Sequence, residues 1–269
     1  MAQKRDIHIE HPEAWELIVA VMDSQVDYIL YASSVPNSLI IGNVPLDEAS
    51  LQGLEDAVYD TPELLGEYKR VRVVVHSTHY VLLPVDADDA DCLALVRHAF
   101  PADEGDAAVN VLPAHDVKIA WLMPRGLQAF IGRTFSYPEV CHHLVPMCGH
   151  FAELNAGAGL SRMFLNLDDG SMDLAVYGDG KLQCANTYPY TSSEDAAFYA
   201  LSAWRSSGLD QLTDELQLMG GREACAAITP RLREFVKHVM PAAYPAAAMR
   251  LGRNAMQAPL ELILMALCE

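Results

Sequence analysis

The sequence predicts a mixed α/β protein in which one order of elements, β-β-β-α-β-α, occurs twice. Three strand-like runs, each bounded by turn residues, open each copy, first near Glu16 and again near Arg162. In both copies roughly 50–55 residues separate the first strand from the strand after the helix, which favours a duplicated half-domain over a short repeat. A meander of strands followed by alternating helices and strands builds a mixed sheet with helices on its faces.

The first copy begins with three predicted strands and a helix. The runs ELIVAVMD, VDYILYAS and SLIIGNVPL are short, apolar and separated by turns, which is typical of strands. LDEASLQGLEDAVYD is predicted to be a helix because Leu51, Leu54 and Val58 fall on one face. VRVVVHSTHYVLLP predicts a buried strand pair or one long strand. DADDADCLALVRHAF predicts a second helix, since aspartates in a first turn suit the positive end of the helix dipole.

The first copy then continues to a glycine-rich junction. VNVLPAH and KIAWLMP predict strands, PRGLQAFIGRTF predicts a helix, and YPEVCHHLVPMC predicts a short strand that leads into another helix. The segment from Asn155 to Leu160 is small and rich in glycine, as junctions are. We therefore predict two half-domains, residues 1–155 and residues 156–269.

After the junction the order of elements begins again. RMFLNL, MDLAVYG and KLQCANTY predict a three-strand meander. TSSEDAAFYALSAWRSSG predicts a helix in which Thr191 and Glu194 have capping-box spacing. Ala197, Phe198 and Leu201 are expected on its inward face.

A strand and a helix complete the second copy. ELQLMGG predicts a strand that ends in paired glycines. ITPRLREFVKHV predicts a helix with Pro230 at its first position. The apolar run from Leu260 to Cys268 is too short to cross a bilayer and predicts a core element.

Composition and charge narrow the classes of function. The chain has 18 Lys and Arg against 36 Asp and Glu, a formal net charge of −18. Nucleic-acid binding depends on cations that neutralise phosphate, and an anionic membrane repels an acidic chain, so we expect neither partner. No apolar run is long enough for membrane insertion, and the N-terminal basic residues precede no apolar signal core. Six scattered cysteines without a secretory signal predict a cytoplasmic protein with reduced thiols.

The run LNLDDGSMDLAVYGDGKLQCANTYPYTSSEDAAFYALSAWRSSGLD resembles the bacterial domain-of-unknown-function family DUF3822. The similarity lies in the strand hairpin, the DGKL turn, the Asn-Thr-aromatic strand end and the helix that starts with Ser-Glu-Asp. HYVLLPVDADDADC, PRGLQAFIGRTFSYPEVCHHLVPM and the terminal ALCE are also similar to its members. The resemblance implies a duplicated ribonuclease-H-like/actin-like ATPase fold, shared with actin, sugar kinases and heat-shock ATPases, but implies no particular activity.

The resemblance also implies where a nucleotide would bind. In the actin-like superfamily two hairpins, one in each half, hold the phosphates through Asp-x-Gly loops, because glycine lets backbone N–H groups approach phosphate while aspartate holds magnesium through water. The second-half hairpin fits, which gives as expected cofactor-binding residues Asp168, Asp169, Gly170 and Ser171, with Asp168 on Mg²⁺. Gly220 and Gly221 fit the strand end that binds adenosine.

The first-half hairpin departs from that pattern. It has the sequence Met22-Asp23-Ser24-Gln25, with no glycine and a bulky glutamine. Asp23 is the only residue there that could position a metal or a water, so it is the single candidate catalytic residue.

Simpler explanations compete with each of these motifs. Asp-Gly is a leading choice for hairpin turns, and Gly178-Asp179-Gly180 is interpreted as chain reversal alone. CHHLVPMCGH, residues 141–150, could supply zinc ligands, but it lacks paired ligand spacing. His142 and His143 would point to opposite sides of a strand, so buried thiols in a strand and helix are favoured.

Two hypotheses about function follow. In the favoured one, the chain is a degenerate, non-catalytic pseudo-ATPase that serves as a binding or assembly module, through an unidentified protein partner or self-association. In the alternative, it is an ATP-binding protein or ATPase that uses the Asp168–Gly170 hairpin for Mg²⁺ and phosphate. Half of a two-hairpin site should lose much of the electrostatic positioning on which phosphoryl transfer depends.

Overall fold

The computed structural model describes residues 9–112, 114–157, 159–168 and 170–268. These residues form two compact units, each with its own five-stranded mixed sheet. The first unit contains the chain up to Val111, Lys118–Pro146 and the C-terminal part from Ala246. The second contains Leu112–Val117 and Met147–Pro245.

Strands and helices follow one another along the chain in two runs. The elements up to residue 155 are β1 (Glu16–Val21), β2 (Gln25–Tyr31), β3 (Ile40–Pro45), α1 (Leu51–Tyr59), β4 (Arg70–Val75), β5 (Tyr80–Pro84), α2 (Asp89–Ala99), β6 (Asp106–Val111), β7 (Val117–Met123), α3 (Leu127–Thr134), β8 (Glu139–His142) and α4 (Leu144–Asn155). The later elements are β9 (Arg162–Leu167), β10 (Ser171–Gly178), β11 (Lys181–Pro189), α5 (Ser193–Ser206), β12 (Glu215–Gly220), α6 (Arg222–Arg233), β13 (His238–Pro241) and α7 (Leu260–Leu267).

The sheet of the first unit has the strand order β3-β2-β1-β4-β8. β1, β2 and β3 form an antiparallel meander, whereas β1, β4 and β8 run parallel. Residues 17–21 of β1 and 71–75 of β4 are buried along their whole length. These strands are covered on both faces, which is why their sequences are nearly continuous apolar runs, interrupted in β4 by the buried Arg72, rather than alternating.

The sheet of the second unit repeats this arrangement. Its order is β11-β10-β9-β12-β13, with β9, β10 and β11 antiparallel and β9, β12 and β13 parallel. Helices α5 and α6 share one apolar core with the sheet, to which they contribute Ala200, Trp204 and Ile228. The predicted duplicated α/β architecture is therefore confirmed, although β13 was not predicted and begins within the run ITPRLREFVKHV that was predicted to be a helix.

The first copy carries an insertion that the predicted order did not contain. Between β4 and α3 the chain forms β5, α2, β6 and β7, a separate three-stranded sheet with the order β5-β7-β6. Helix α2 packs on this sheet through Cys92 and Val96, which meet Ala120 and Leu122 of β7. The VRVVVHSTHYVLLP run is thus a pair of strands that belong to two different sheets. Helix α3 follows the insertion and corresponds to α6 of the second copy.

Three local expectations about the second copy were wrong. Helix α5 is capped by Ser192, whose Oγ accepts the Asp195 N–H at 3.1 Å, one residue later than the predicted capping box. Phe198 is 67% exposed instead of inward, because the alanines of the same helix face the sheet. Pro230 lies inside α6, since that helix begins at Arg222, directly after the paired glycines.

The C-terminal run forms a core element, as predicted. Helix α7 packs on β1 and β4 of the first unit, and Leu262, Ile263 and Leu264 are buried there. Within the described part of the chain, every helix is too short or too polar to span a bilayer. The half-domain boundary at residues 155 and 156 stays a prediction.

Candidate functional site

The hairpin between β9 and β10 has the open, glycine-bearing loop that a phosphate ligand requires. The Asp168 N–H donates to the Ser171 carbonyl at 2.9 Å and closes a three-residue loop; Asp169, within that loop, lies outside the described residues. Gly170 has φ +79°, a conformation that side chains rarely adopt. A Cβ built at Gly170 would meet no described atom within 4 Å, so the glycine faces open space.

Tyr190, just beyond β11, holds this loop in place. Its phenolic O–H donates to the Asp168 carbonyl at 2.6 Å, and its backbone N–H donates to the Gly170 carbonyl at 3.0 Å. Both bonds use the backbone of the loop. The hold of Tyr190 on the loop therefore does not depend on the side chain at 168.

The paired glycines at the end of β12 lie beside the same loop. Gly220 has φ +96°, and a Cβ there would lie 2.1 Å from the Leu167 carbonyl oxygen, so only glycine fits. The Gly221 N–H donates to that same oxygen at 2.7 Å. Leu167 immediately precedes Asp168, so the structure brings Gly220 and Gly221 next to the Asp168 hairpin.

Helix α6 starts at this junction without a side-chain cap. Gly221 is its N-cap residue and has no side chain to accept the first N–H groups. An uncapped helix start presents partial positive charge, which suits an anion. Asp168, Gly170, Gly220 and Gly221 thus meet at one sheet edge, where the loop and the helix start leave room for an anion.

A buried aspartate lies directly behind this hairpin. Asp173 of β10 is almost fully buried, and it accepts the Thr187 hydroxyl at 2.8 Å and the Asn166 amide at 3.3 Å. A buried charge needs such donors. Asp173 therefore stabilises the meander from inside rather than facing a ligand.

The hairpin between β1 and β2 has the same construction. Ala20 pairs with Asp27 as Asn166 pairs with Asp173, so both loops have the same length. The Met22 N–H donates to the Gln25 carbonyl at 3.1 Å, which corresponds to the bond that closes the second hairpin. Met22, Asp23 and Ser24 therefore occupy the positions of 168, 169 and 170.

The buried aspartate is duplicated as well. Asp27 is buried and accepts the Asn43 amide at 2.5 Å and the Gln25 amide at 2.7 Å. Sequence reasoning missed this residue pair. The signal is a pair of similar sequences, DSQVD at residues 23–27 and DGSMD at residues 169–173. Near the end of the strand that follows each of them, the donor residue, Asn43 or Thr187, stands two positions before a proline.

The two hairpins differ where a nucleotide would bind. Met22 stands at the position of Asp168 and Ser24 at the position of Gly170, and Ser24 has a negative φ. Asp23 is exposed at the loop tip. Neither loop contains Lys or Arg. The second hairpin has the aspartate and the glycine of the expected pattern at 168 and 170, whereas the first has Met22 and Ser24 at these positions.

A histidine cluster lies at the carboxyl ends of β4 and β8 in the first unit. The rings of His142 and His143 are 4.2 Å apart, and His76 stacks on His143 at 4.5 Å. The expectation that His142 and His143 point apart was wrong, because β8 ends at His142 and the chain turns there. Among the described residues, no three His, Cys, Asp or Glu side chains are arranged to hold a metal ion.

His142 is neutral in this cluster. Its Nε2 pairs with the Ser77 carbonyl at 2.9 Å, and its Nδ1 accepts the Leu144 N–H at 3.2 Å. Burial, reinforced by the neighbouring His143, lowers the pKa of His142 well below its usual value. The ring is a structural link between β8, α4 and the loop after β4.

The second turn of the β10–β11 hairpin reverses the chain, as predicted. Gly178 pairs with Lys181, and Asp179 and Gly180 have φ values of +52° and +73°. Two positive φ values in a two-residue loop are the signature of a type I′ turn.

The two sheets and their paired hairpins define a protein of the actin-like ATPase fold. A solved structure from Bacteroides thetaiotaomicron VPI-5482, a protein with actin-like ATPase fold and unknown function, has TM-score 0.81 and 18% identity, covering 96% of this chain and 97% of that chain. A chain of the PilM–PilN type IV pilus biogenesis complex has TM-score 0.54 and 11% identity, covering 96% of this chain and 100% of that chain. At these identities the similarity shows the fold alone.

The sequence matches a family model over residues 4–239. The chain belongs to that family, described as protein of unknown function (DUF3822). No curated protein matches the chain.

Proposed function

We propose that the chain is a non-catalytic binding or assembly module built on the actin-like fold. The observation that carries this proposal is the first hairpin, which keeps the register and the buried Asp27 of its counterpart but has Met22 and Ser24 in place of aspartate and glycine. A hairpin that retains its supporting bonds and lacks its ligand-binding residues has a structural role. Positioning and electrostatic stabilisation supply most of the catalysis of phosphoryl transfer, so a site with only one phosphate-binding hairpin should lose much of that catalysis.

The solved relatives are consistent with such a role. One chain of this fold occurs within the PilM–PilN type IV pilus biogenesis complex. Here the partner is a protein, or a second copy of the chain, and the site of action is the cytoplasm. Stable association in solution is the direct expectation, measured by light scattering and by affinity isolation from native lysate. A strictly monomeric chain without a reproducible partner would contradict the module.

ATP binding is the second candidate function. It is favoured by the second hairpin alone, where Asp168 and the open Gly170 lie beside Gly221 and the uncapped start of α6. Those residues would hold magnesium and phosphate, but the first hairpin does not complete the site. No reaction step therefore follows from this chain.

A thermal-shift measurement with Mg-ATP separates the two functions. A ligand present at 100 times its Kd stabilises the native state by about 2.7 kcal/mol, which raises Tm by several degrees. The module predicts no shift at millimolar Mg-ATP. The ATP-binding function instead predicts a shift that Asp168→Ala abolishes and that the exposed-tip variant Asp179→Ala, in the reversing turn, leaves intact.

A further inference from the structure

A groove of about 740 Å³ opens on the helical face of the second unit. It lies between α5, the segment after it and the end of α6, and its walls include Phe198, Leu201, Leu209 and Phe235. Cavities of this size are typical of binding sites for drug-sized ligands or for a few side chains of a partner. None of the described residues of the candidate site at the β9–β10 hairpin lines this groove.

Several large apolar side chains at and around the groove are exposed to solvent. Phe198 is 67% exposed and Phe235 is 40% exposed, and Leu212, next to the lining residue Gln211, is also exposed. Single exposed apolar residues are ordinary, but three around one groove form a patch of the kind found at protein interaction sites. The patch extends past the groove walls, which favours a chain segment over a small enclosed ligand.

Trp204 supplies an independent sign that a ligand belongs here. The side chain is 2% exposed and lines the groove, and its Nε1–H has no hydrogen-bond acceptor among the described residues. Buried indole N–H groups usually find an acceptor, and an unpaired buried donor costs about 1–3 kcal/mol. That nitrogen is closed to solvent, so a carbonyl or carboxylate oxygen of a bound segment satisfies it only when side chains of the groove wall shift on binding.

The groove is less acidic than the chain as a whole. The net charge of the whole sequence is −18, yet the described lining residues include two arginines and one acid, Glu194. Arg231 lies over the Phe235 ring at 4.9 Å and pairs with Glu234. The guanidinium of Arg205 has no acceptor among the described residues and is exposed. Aromatic surface beside an unpaired guanidinium is complementary to apolar side chains that carry a carboxylate nearby.

We infer that this groove binds a segment of a partner protein that presents large apolar side chains and at least one carboxylate. The inference rests on the proposed binding function and names its surface. The acidic chain repels a strongly acidic domain at long range, but that repulsion is screened beyond about 8 Å at physiological ionic strength, whereas the Arg205 contact is made at hydrogen-bond distance. The occupant is therefore a short segment with one or two carboxylates.

Selection of random peptides on the full-length chain at physiological salt tests the inference. Selected sequences should share Leu, Ile, Phe or Trp anchors next to Asp or Glu. Phe198→Asp and Arg205→Glu should each raise the Kd of a selected peptide at least tenfold, as expected of central interface residues. Trp204→Phe, which keeps an aromatic ring but removes the pyrrole portion of the indole with its donor, should raise it roughly three- to tenfold.

Two exposed positions outside the groove provide matched controls. Tyr137→Asp in the first unit matches Phe198→Asp, and Arg253→Glu matches Arg205→Glu; both should leave Kd unchanged. Failure to select binders, selection of basic or purely polar peptides, or equal binding by the groove and control variants would overturn the inference. Concentration-dependent self-association that Phe198→Asp abolishes would assign the groove to a second copy instead. If a native partner is found and binds the groove variants normally, the module function stands and this surface assignment fails.

Discussion

At the scale of single residues, Gly170 and Gly220 lie at the same sheet edge, but glycine is favoured at each position for a different reason. Gly170 and Gly220 both have positive φ, but a side chain at 170 would enter open space, whereas one at 220 would enter the backbone of Leu167. Gly220 is thus explained by packing, whether or not a nucleotide binds. Gly170 is explained by its turn, and only its open surroundings leave room for a ligand.

Alanine substitution separates these causes. Gly220→Ala combines left-handed backbone strain with a backbone clash, so we expect it to lower the free energy of unfolding by roughly 2–4 kcal/mol. Gly170→Ala adds the strain alone and should cost about 1–2 kcal/mol. Urea denaturation of both variants measures the difference. Equal losses would show that the close approach at Leu167 relaxes at little cost.

At the scale of elements, the C-terminal helix α7 is fixed to the first sheet by one buried arginine. Arg72 of β4 is 1% exposed, and its guanidinium donates to the Cys268 carbonyl at 2.9 Å, to the Met265 carbonyl and to the Tyr31 hydroxyl at 2.6 Å. It also pairs with Glu16 at 3.1 Å. A cation at the last carbonyls of a helix satisfies groups that the helix itself leaves unpaired.

Removing that arginine should release α7. Arg72→Met leaves the helix carbonyls without their donor and Glu16 with the Tyr31 hydroxyl but no cation, and we expect a loss of about 3–5 kcal/mol in the free energy of unfolding. Arg70→Met on the same strand is the matched control, because Arg70 pairs with Glu139 at 2.9 Å in a partly exposed position and should cost no more than about 1 kcal/mol. Hydrogen exchange of the α7 amides would report its release directly. A similar loss in both variants would contradict the role given to burial.

Sequence reasoning predicted elements that depend on local pattern and missed features that depend on distant neighbours. The hairpins, the reversing turn at Asp179 and the core run at the C-terminus follow from turn residues and apolar runs. The outward position of Phe198 does not, because alanines of the same helix take the inward face. Pro230 suggested a helix start, yet α6 begins at Arg222, directly after Gly221, whose N–H donates to the Leu167 carbonyl.

At the scale of the whole molecule, the two copies share structure and differ in chemistry. Overall identity between the halves is negligible, but each hairpin keeps a buried aspartate held by the outer strand, Asp27 by Asn43 and Asp173 by Thr187. Buried charges with their donors are costly to change singly, because an unpaired partner remains. Exposed loop positions carry no such constraint. The two copies therefore agree behind the loops and differ at the loop position of Met22 and Asp168.

Groups that are buried in their neutral form should give the whole chain a bounded pH range of stability. Burial lowers the pKa of His115, His142 and His150 below the usual 6.5, so the unfolded state binds more protons and stability falls as pH drops below about 6.5. Burial raises the pKa of Cys141 from 9.0 to about 12, so stability falls again as pH rises above 9.0. We expect the highest Tm between these limits.

Acidification also reduces the repulsion within a chain of net charge −18, which acts in the opposite direction. Salt screens that long-range repulsion but not the buried histidines, so the acid-side fall should persist at about 0.15 M salt. His142→Gln removes one titrating group and should flatten the dependence of unfolding free energy on pH by up to about 1.4 kcal/mol per pH unit below pH 6.5. His98→Asn, on the exposed face of α2, serves as its control. An unchanged slope in His142→Gln would show that the neutral His142 ring does not contribute to the acid limit.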